Sequence, residues 1–179
     1  MPHLIGLIFD SQSEEKVYDC YRGLKSIGRG HALDFNIVPH FTTEAYGDLD
    51  ETDALAKLEK FAATQKQMPL SLPSIAMFAR SKCLYLAPVL HKELLDCYLG
   101  LHDLFEKYDK KGYEYHTPAN WTPHVYLDEC ETEEVARASF DYMLKNYQVI
   151  EGTIRGVSLV RIAVGQPNFT VRDFDFQPR

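Results

Sequence analysis

The opening run HLIGLIFD at 3–10 has strand-like apolar character. The spacing then changes: Val17, Cys20, Tyr21 and Leu24 recur at i, i+3, i+4 and i+7, one face of an amphipathic helix that Gly28 and Gly30 end. LDFNIVPHFT at 33–42 reads as a second strand. Leu55, Leu58, Phe61 and Ala62 then mark a second helix, with Asp50 or Thr52 as its cap. PLSLPSIAMFA at 69–79 is a third strand, kinked or edged by its prolines.

The same order then starts again. CLYLAPV at 83–89 reads as a strand, and Leu94, Tyr98, Leu101 and Phe105 form the next helical stripe. A polar, tyrosine-rich loop over 108–123 leads into HVYLD at 124–128, a short strand. A helix follows, capped by Thr132, with Ala136, Phe140, Met143, Leu144 and Tyr147 expected to face inward. VIEGTIRGVSLVRIAVG and FTVRDFDF alternate as closing strands. Both halves therefore read strand, helix, strand with histidine, helix, strand. From Leu4 to His40 is 36 residues and from Leu84 to His124 is 40. The expected fold is α+β, one bilobal, internally duplicated domain over 1–179. Its two antiparallel sheets line a central cleft, with helices outside.

Composition narrows the function classes. The 179 residues are 45% hydrophobic and 25% charged, the balance of a soluble globular protein. No apolar run approaches the roughly 20 residues that span a bilayer, and the N-terminus lacks signal-peptide features, so a cytoplasmic protein with no membrane partner is expected. The four cysteines form no CxxC pair and read as free thiols. A net charge of −7 opposes binding to long duplex nucleic acid, but one phosphorylated nucleotide or RNA terminus needs only a local pocket. The acidic stretches at 48–53 and 128–134 fall where helices are expected to start and favour their N-termini.

The candidate chemistry lies in IVPHFT at 37–42 and WTPHVY at 121–126. Residues i and i+2 of a strand share a face, so His40 points with Thr42 and His124 with Tyr126, while Phe41 and Val125 turn to the core. Of two imidazoles that titrate near neutrality, one can be neutral and the other protonated. That pairing suits in-line displacement at a phosphodiester. The neutral ring takes a proton from the attacking water or hydroxyl, and the protonated ring gives one to the departing oxygen. The hydroxyls hold the non-bridging oxygens. A cyclic phosphate already places its leaving group, so neither metal nor other cofactor is expected. His40, His116 and His124 could ligate zinc, but no HExxH-type spacing supports it.

With these motifs the chain resembles the 2H phosphoesterases, in the branch described as 2′-5′ RNA ligase-like or cyclic phosphodiesterase-like. That family carries a His-x-Thr/Ser motif in each lobe of a bilobal, duplicated α+β fold. PHFT matches the first copy and NWTPHVYL the setting of the second; LIGLIFD followed by a helix is also similar, and the likeness covers residues 3–165. It implies His40 and His124 as catalytic residues, Thr42 and Tyr126 as phosphate-binding, and a 2′,3′-cyclic phosphate or related phosphodiester as substrate. Position 126 departs from the family, which has threonine or serine there. Tyrosine leaves three readings open: a different or smaller substrate, a lost hydroxyl role, or binding without hydrolysis.

Further substrate-binding candidates each have a plain alternative. Trp121 stacks on a nucleobase or anchors the long loop. Arg80 supplies local positive charge or is an ordinary surface arginine. Phe78 and Tyr85 line a base pocket or the core. His116 touches a ligand or is a solvated loop residue, and His102 fits its helix register as a structural residue. The expected function is a metal-independent phosphoesterase cleaving a cyclic phosphodiester of a nucleotide or RNA end. The lean is towards His40 as acid and His124 as water activator, with neither role fixed by sequence. The alternatives are a non-catalytic nucleotide or RNA-terminus binder, or a 2′-5′ RNA ligase.

Overall fold

In the computed structural model, which describes residues 1–108, 113–163 and 165–179, β1 (His3–Phe9) leads to α1 (Ser11–Ser26), β2 (His40–Tyr46), α2 (Glu51–Ala62), β3 (Met68–Leu72) and β4 (Ser74–Met77). Then come β5 (Cys83–Ala87), α3 (Lys92–Leu104), β6 (Val125–Glu129), α4 (Glu133–Asn146), β7 (Ile150–Arg161) and β8 (Phe169–Asp175). The fold is α+β with two antiparallel sheets. Residues 109–112 of the expected polar loop and Val164 of the expected closing segment lie outside the described residues.

In the larger sheet β1 lies between β2 and β7. The far edge of β7 is shared end to end, β3 against its first residues and β8 against its last. The smaller sheet runs β4-β5-β6. One strand of each half thus crosses over: β4, from the first half, pairs β5, and β7, from the second, pairs β1. One contiguous buried cluster includes Leu7, Phe41, Leu70, Leu86, Val125 and Val157, drawn from both sheets.

Helix ends follow local chemistry. Asp10, Asp50 and Thr132 accept hydrogen bonds from the backbone N–H groups of Ser13, Asp53 and Val135, relieving donors that the first turn leaves unpaired. Past α1, Gly28 and Gly30 turn the chain at φ +72° and +75°, a region glycine enters without steric penalty. No helix among the described residues is long and apolar enough to cross a membrane.

Three expectations need correction. Residues 33–39 are not strand, and β2 starts at His40. Phe35, Asn36 and Ile37 instead donate to the carbonyls of His31, Leu33 and Ala32, with Asn36 left-handed at φ 49°; Pro39 brings no N–H to a ladder. The strand expected over 69–79 is two strands in two sheets, separated at Pro73. Leu144 is 66% exposed. It lies about 100° round the helix from Met143, and the buried stripe of α4 is Ala136, Ser139 and Met143.

Candidate active site

The two histidines are built alike. His40 opens β2 and His124 immediately precedes β6, and these two strands are neighbours where the sheets meet. In VPH and TPH alike, the ring turns back onto the carbonyl two residues earlier. His40 Nδ1 lies 2.6 Å from the Val38 oxygen and His124 Nδ1 2.7 Å from the Thr122 oxygen. A carbonyl only accepts, so each Nδ1 carries the proton and each Nε2 is left for chemistry. His40 Nε2 is 2.9 Å from Thr42 Oγ1. Among the described residues nothing hydrogen-bonds His124 Nε2.

A β-bulge sets which side chains reach the site. His40 and Thr42 pair with Ile8 and Gly6 on one face of β1, whereas Glu44 and Tyr46 pair with Ile5 and His3 on the other. The extra residue, Thr43, makes that switch, and its hydroxyl donates to the Ile5 carbonyl at 2.9 Å. β6 repeats the device: Tyr126 pairs with Tyr85 but Asp128 with Leu84, leaving Leu127 as the extra residue. Each histidine is therefore followed four residues later by a buried carboxylate. Glu44 accepts from Tyr46 and lies 3.3 Å from His102 Nδ1; Asp128 is 3.4 Å from Ser139 Oγ. Matched bulges and carboxylates thus follow the two histidines in the same order.

The lobes differ in what faces each imidazole. Opposite His40 stands Gly6, and a Cβ there would be 2.6 Å from His40 Cδ2. At the corresponding position beside His124 stands Tyr85, with ring centroids 5.3 Å apart; Phe78 stacks on Tyr85 at 4.4 Å and meets His124 edge-on at 5.0 Å. Both imidazoles are half-buried, and that burial lowers both pKa values. Charge on His124 pushes His40 down further, while the Val38 and Thr122 carbonyls oppose the shift.

The remaining candidates fall at different distances from this pair. Burial raises the Tyr126 phenol, and the carboxylates of Asp128 and Glu129 push it up further. Its ring borders a hollow of about 340 Å³ shared with His31, Phe35, Ser81 and Glu129. Trp121 lies flat on Tyr98, 3.8 Å between centroids, and donates to the Thr42 carbonyl at 2.9 Å. Arg80 is exposed in the turn after β4, two residues past Phe78. The His116 carbonyl accepts from the Tyr98 hydroxyl at 2.8 Å. Among the described residues, no group of three His, Cys, Asp or Glu could hold a metal ion.

The sequence profile of the 2′-5′ RNA ligase superfamily matches residues 23–166, a span that contains both histidine motifs. The chain belongs to this superfamily, the 2H phosphoesterases. The fold agrees. TT0787 of Thermus thermophilus superposes with a TM-score of 0.68 at 14% identity over 100% of both chains. LigT of E. coli in its apo form gives 0.64 at 14% identity, covering 98% of this chain and 97% of LigT. No curated protein sequence matches closely enough to count as a relative. Within this superfamily frame, sequence reasoning missed Gly6, the bulges and the buried carboxylates. One signal was present: a glycine inside the apolar strand HLIGLIF marks a close approach.

Proposed function

We propose that this protein hydrolyses a cyclic phosphodiester, of the 2′,3′-cyclic phosphate type, on a nucleotide or RNA end, without a metal. The carrying observation is the pair of imidazoles at the starts of two neighbouring strands, each with its Nδ1 pinned to a carbonyl and its Nε2 left for proton transfer. Superfamily membership supports phosphoesterase or ligase chemistry. LigT has been solved with 3′-AMP, ATP, NADP+ and phosphate, which supports a small nucleotide as ligand.

With its Nε2 unoccupied, His124 is the base that takes a proton from water as it attacks phosphorus. His40, protonated as the anionic substrate arrives, returns a proton to the departing ribose oxygen. The Thr42 hydroxyl, beside His40 Nε2, donates to a non-bridging oxygen as charge gathers there. Burial keeps the free rings neutral, and a bound phosphate dianion or monoanion draws one proton in. Acid–base help of this kind contributes about 10²–10⁴-fold.

The test is turnover of nucleoside 2′,3′-cyclic phosphates with chelator present. Activity should follow a bell-shaped pH profile and fall by about 10²-fold or more in His40→Ala and in His124→Ala. Full activity in both variants, or its abolition by chelator, rejects the mechanism. Tyrosine at 126, where the superfamily motif has threonine or serine, favours a second reading as a nucleotide or RNA-terminus binder. Tight binding with no turnover would select it.

A further inference from the structure

The motif-bearing segments 40–42 and 121–126 are far apart in sequence, and among the described residues one side-chain hydrogen bond joins them: Trp121 Nε1–H to the Thr42 carbonyl, 2.9 Å. Thr42 is a first-motif residue whose own hydroxyl meets His40. Trp121 stands three residues before His124, so the chain between them spans at most about 10 Å. The indole plane is fixed independently. It lies on Tyr98 with an interplanar angle of 4°, and Tyr98 is 1% exposed and donates to the His116 carbonyl. One face of the indole is therefore covered and its N–H is engaged.

We infer that Trp121 is a positioning residue that sets the gap between the two imidazoles. The strand edge of β2 supplies the acceptor, the stacked indole acts as a rigid strut, and the short run Thr122-Pro123 carries that position to His124. Proton transfer to and from one phosphate requires both Nε2 atoms to meet it at hydrogen-bond distance. An error of about 1 Å in such a gap costs about 10²-fold in rate. A misplaced acid–base pair weakens the transition state more than the bound substrate, so loss of the strut falls on kcat more than on KM. This inference rests on the two-histidine reading of the site.

The experiment combines Trp121→Phe, which keeps an aromatic ring over Tyr98 but deletes the donor, with a readout on the unaltered protein. Trp121 is the only tryptophan, so its indole N–H gives one identifiable NMR signal. That proton should be protected from solvent exchange, and its signal should shift when inorganic phosphate is added. In Trp121→Phe, kcat should drop about 10–10²-fold with KM changed less than about 3-fold. With the His124 charge moved away, the His40 titration should rise, although burial, the larger cause of its depression, remains. An indole proton exchanging as freely as in a solvated tryptophan overturns the inference even if the variant does not fold. So does a variant with parental kcat and parental histidine titrations. If the parent turns over no cyclic phosphate while the variant still alters both titrations, the catalytic reading falls and the strut stands.

Discussion

The His40 ring lies directly over Gly6, in space that any side chain at position 6 would claim. A Cβ would meet Cδ2 at 2.6 Å and Cγ at 3.0 Å. Gly6→Ala is therefore expected to push the imidazole off its Val38 and Thr42 contacts. Activity should fall by about 10²-fold, since misplacement of a catalytic group by about 1 Å has that effect. Overpacking should destabilise the fold by about 1–3 kcal/mol. Steady-state kinetics and urea unfolding of the variant measure the two effects separately.

The two motif hydroxyls should respond unequally. Thr42→Val keeps shape but removes the hydroxyl beside His40 Nε2, and kcat should fall by about 10²-fold, the usual effect of deleting one transition-state donor. Tyr126→Phe removes an oxygen from a ring that borders a hollow with His31, Phe35 and Ser81, and kcat should change by less than about 3-fold. Assay of both variants on one cyclic nucleotide checks the contrast. Equal losses would give the phenol a place at the phosphate.

Burial lowers the pKa of both histidines in the folded protein, so below about 6.5 the unfolded chain takes up protons more readily. The stability associated with the neutral rings is present above that pH and is lost as pH falls through it towards the lower folded values. Urea unfolding at pH 7.5 and 5.5 should show a larger loss for the parent than for the double variant His40→Gln/His124→Gln. Phosphate should reverse the balance, binding near neutral pH with uptake of about one proton. Calorimetry in two buffers of different ionisation enthalpy measures that uptake.

Adjacent residues of α4 offer a stability test. Met143 is 1% exposed and Leu144 66%. Met143→Ala should destabilise by about 2–5 kcal/mol, whereas Leu144→Lys should stay within about 0.5 kcal/mol of the parent. Chemical denaturation of the two variants decides it.

Much of this was legible in the chain because periodicity reports burial. The helix stripes, the caps at Asp50 and Thr132 and the strand pair bearing the histidines follow from local pattern. Two kinds of feature do not. A bulge such as that at Thr43 or Leu127 is a relation between strands, so a count along one strand cannot show that Glu44 and Asp128 turn inward. The residues meeting each ring, Gly6 for His40 and Phe78 with Tyr85 for His124, come from elements whose pairing is non-local. Leu33–Pro39 misled because its apolar content resembles a strand, while Asn36 and Pro39 favour a turn. At position 144 an apolar residue sits just off the buried stripe, which a composition-led reading counts as core.

The crossing of β4 and β7 bears on whether the two halves of the chain can separate. Pulling the two halves apart would mean peeling β4 from β5 and β7 from β1, ladder bond by ladder bond. A cut made in the turn between β4 and β5 would give two pieces, each lacking a strand that only the other supplies.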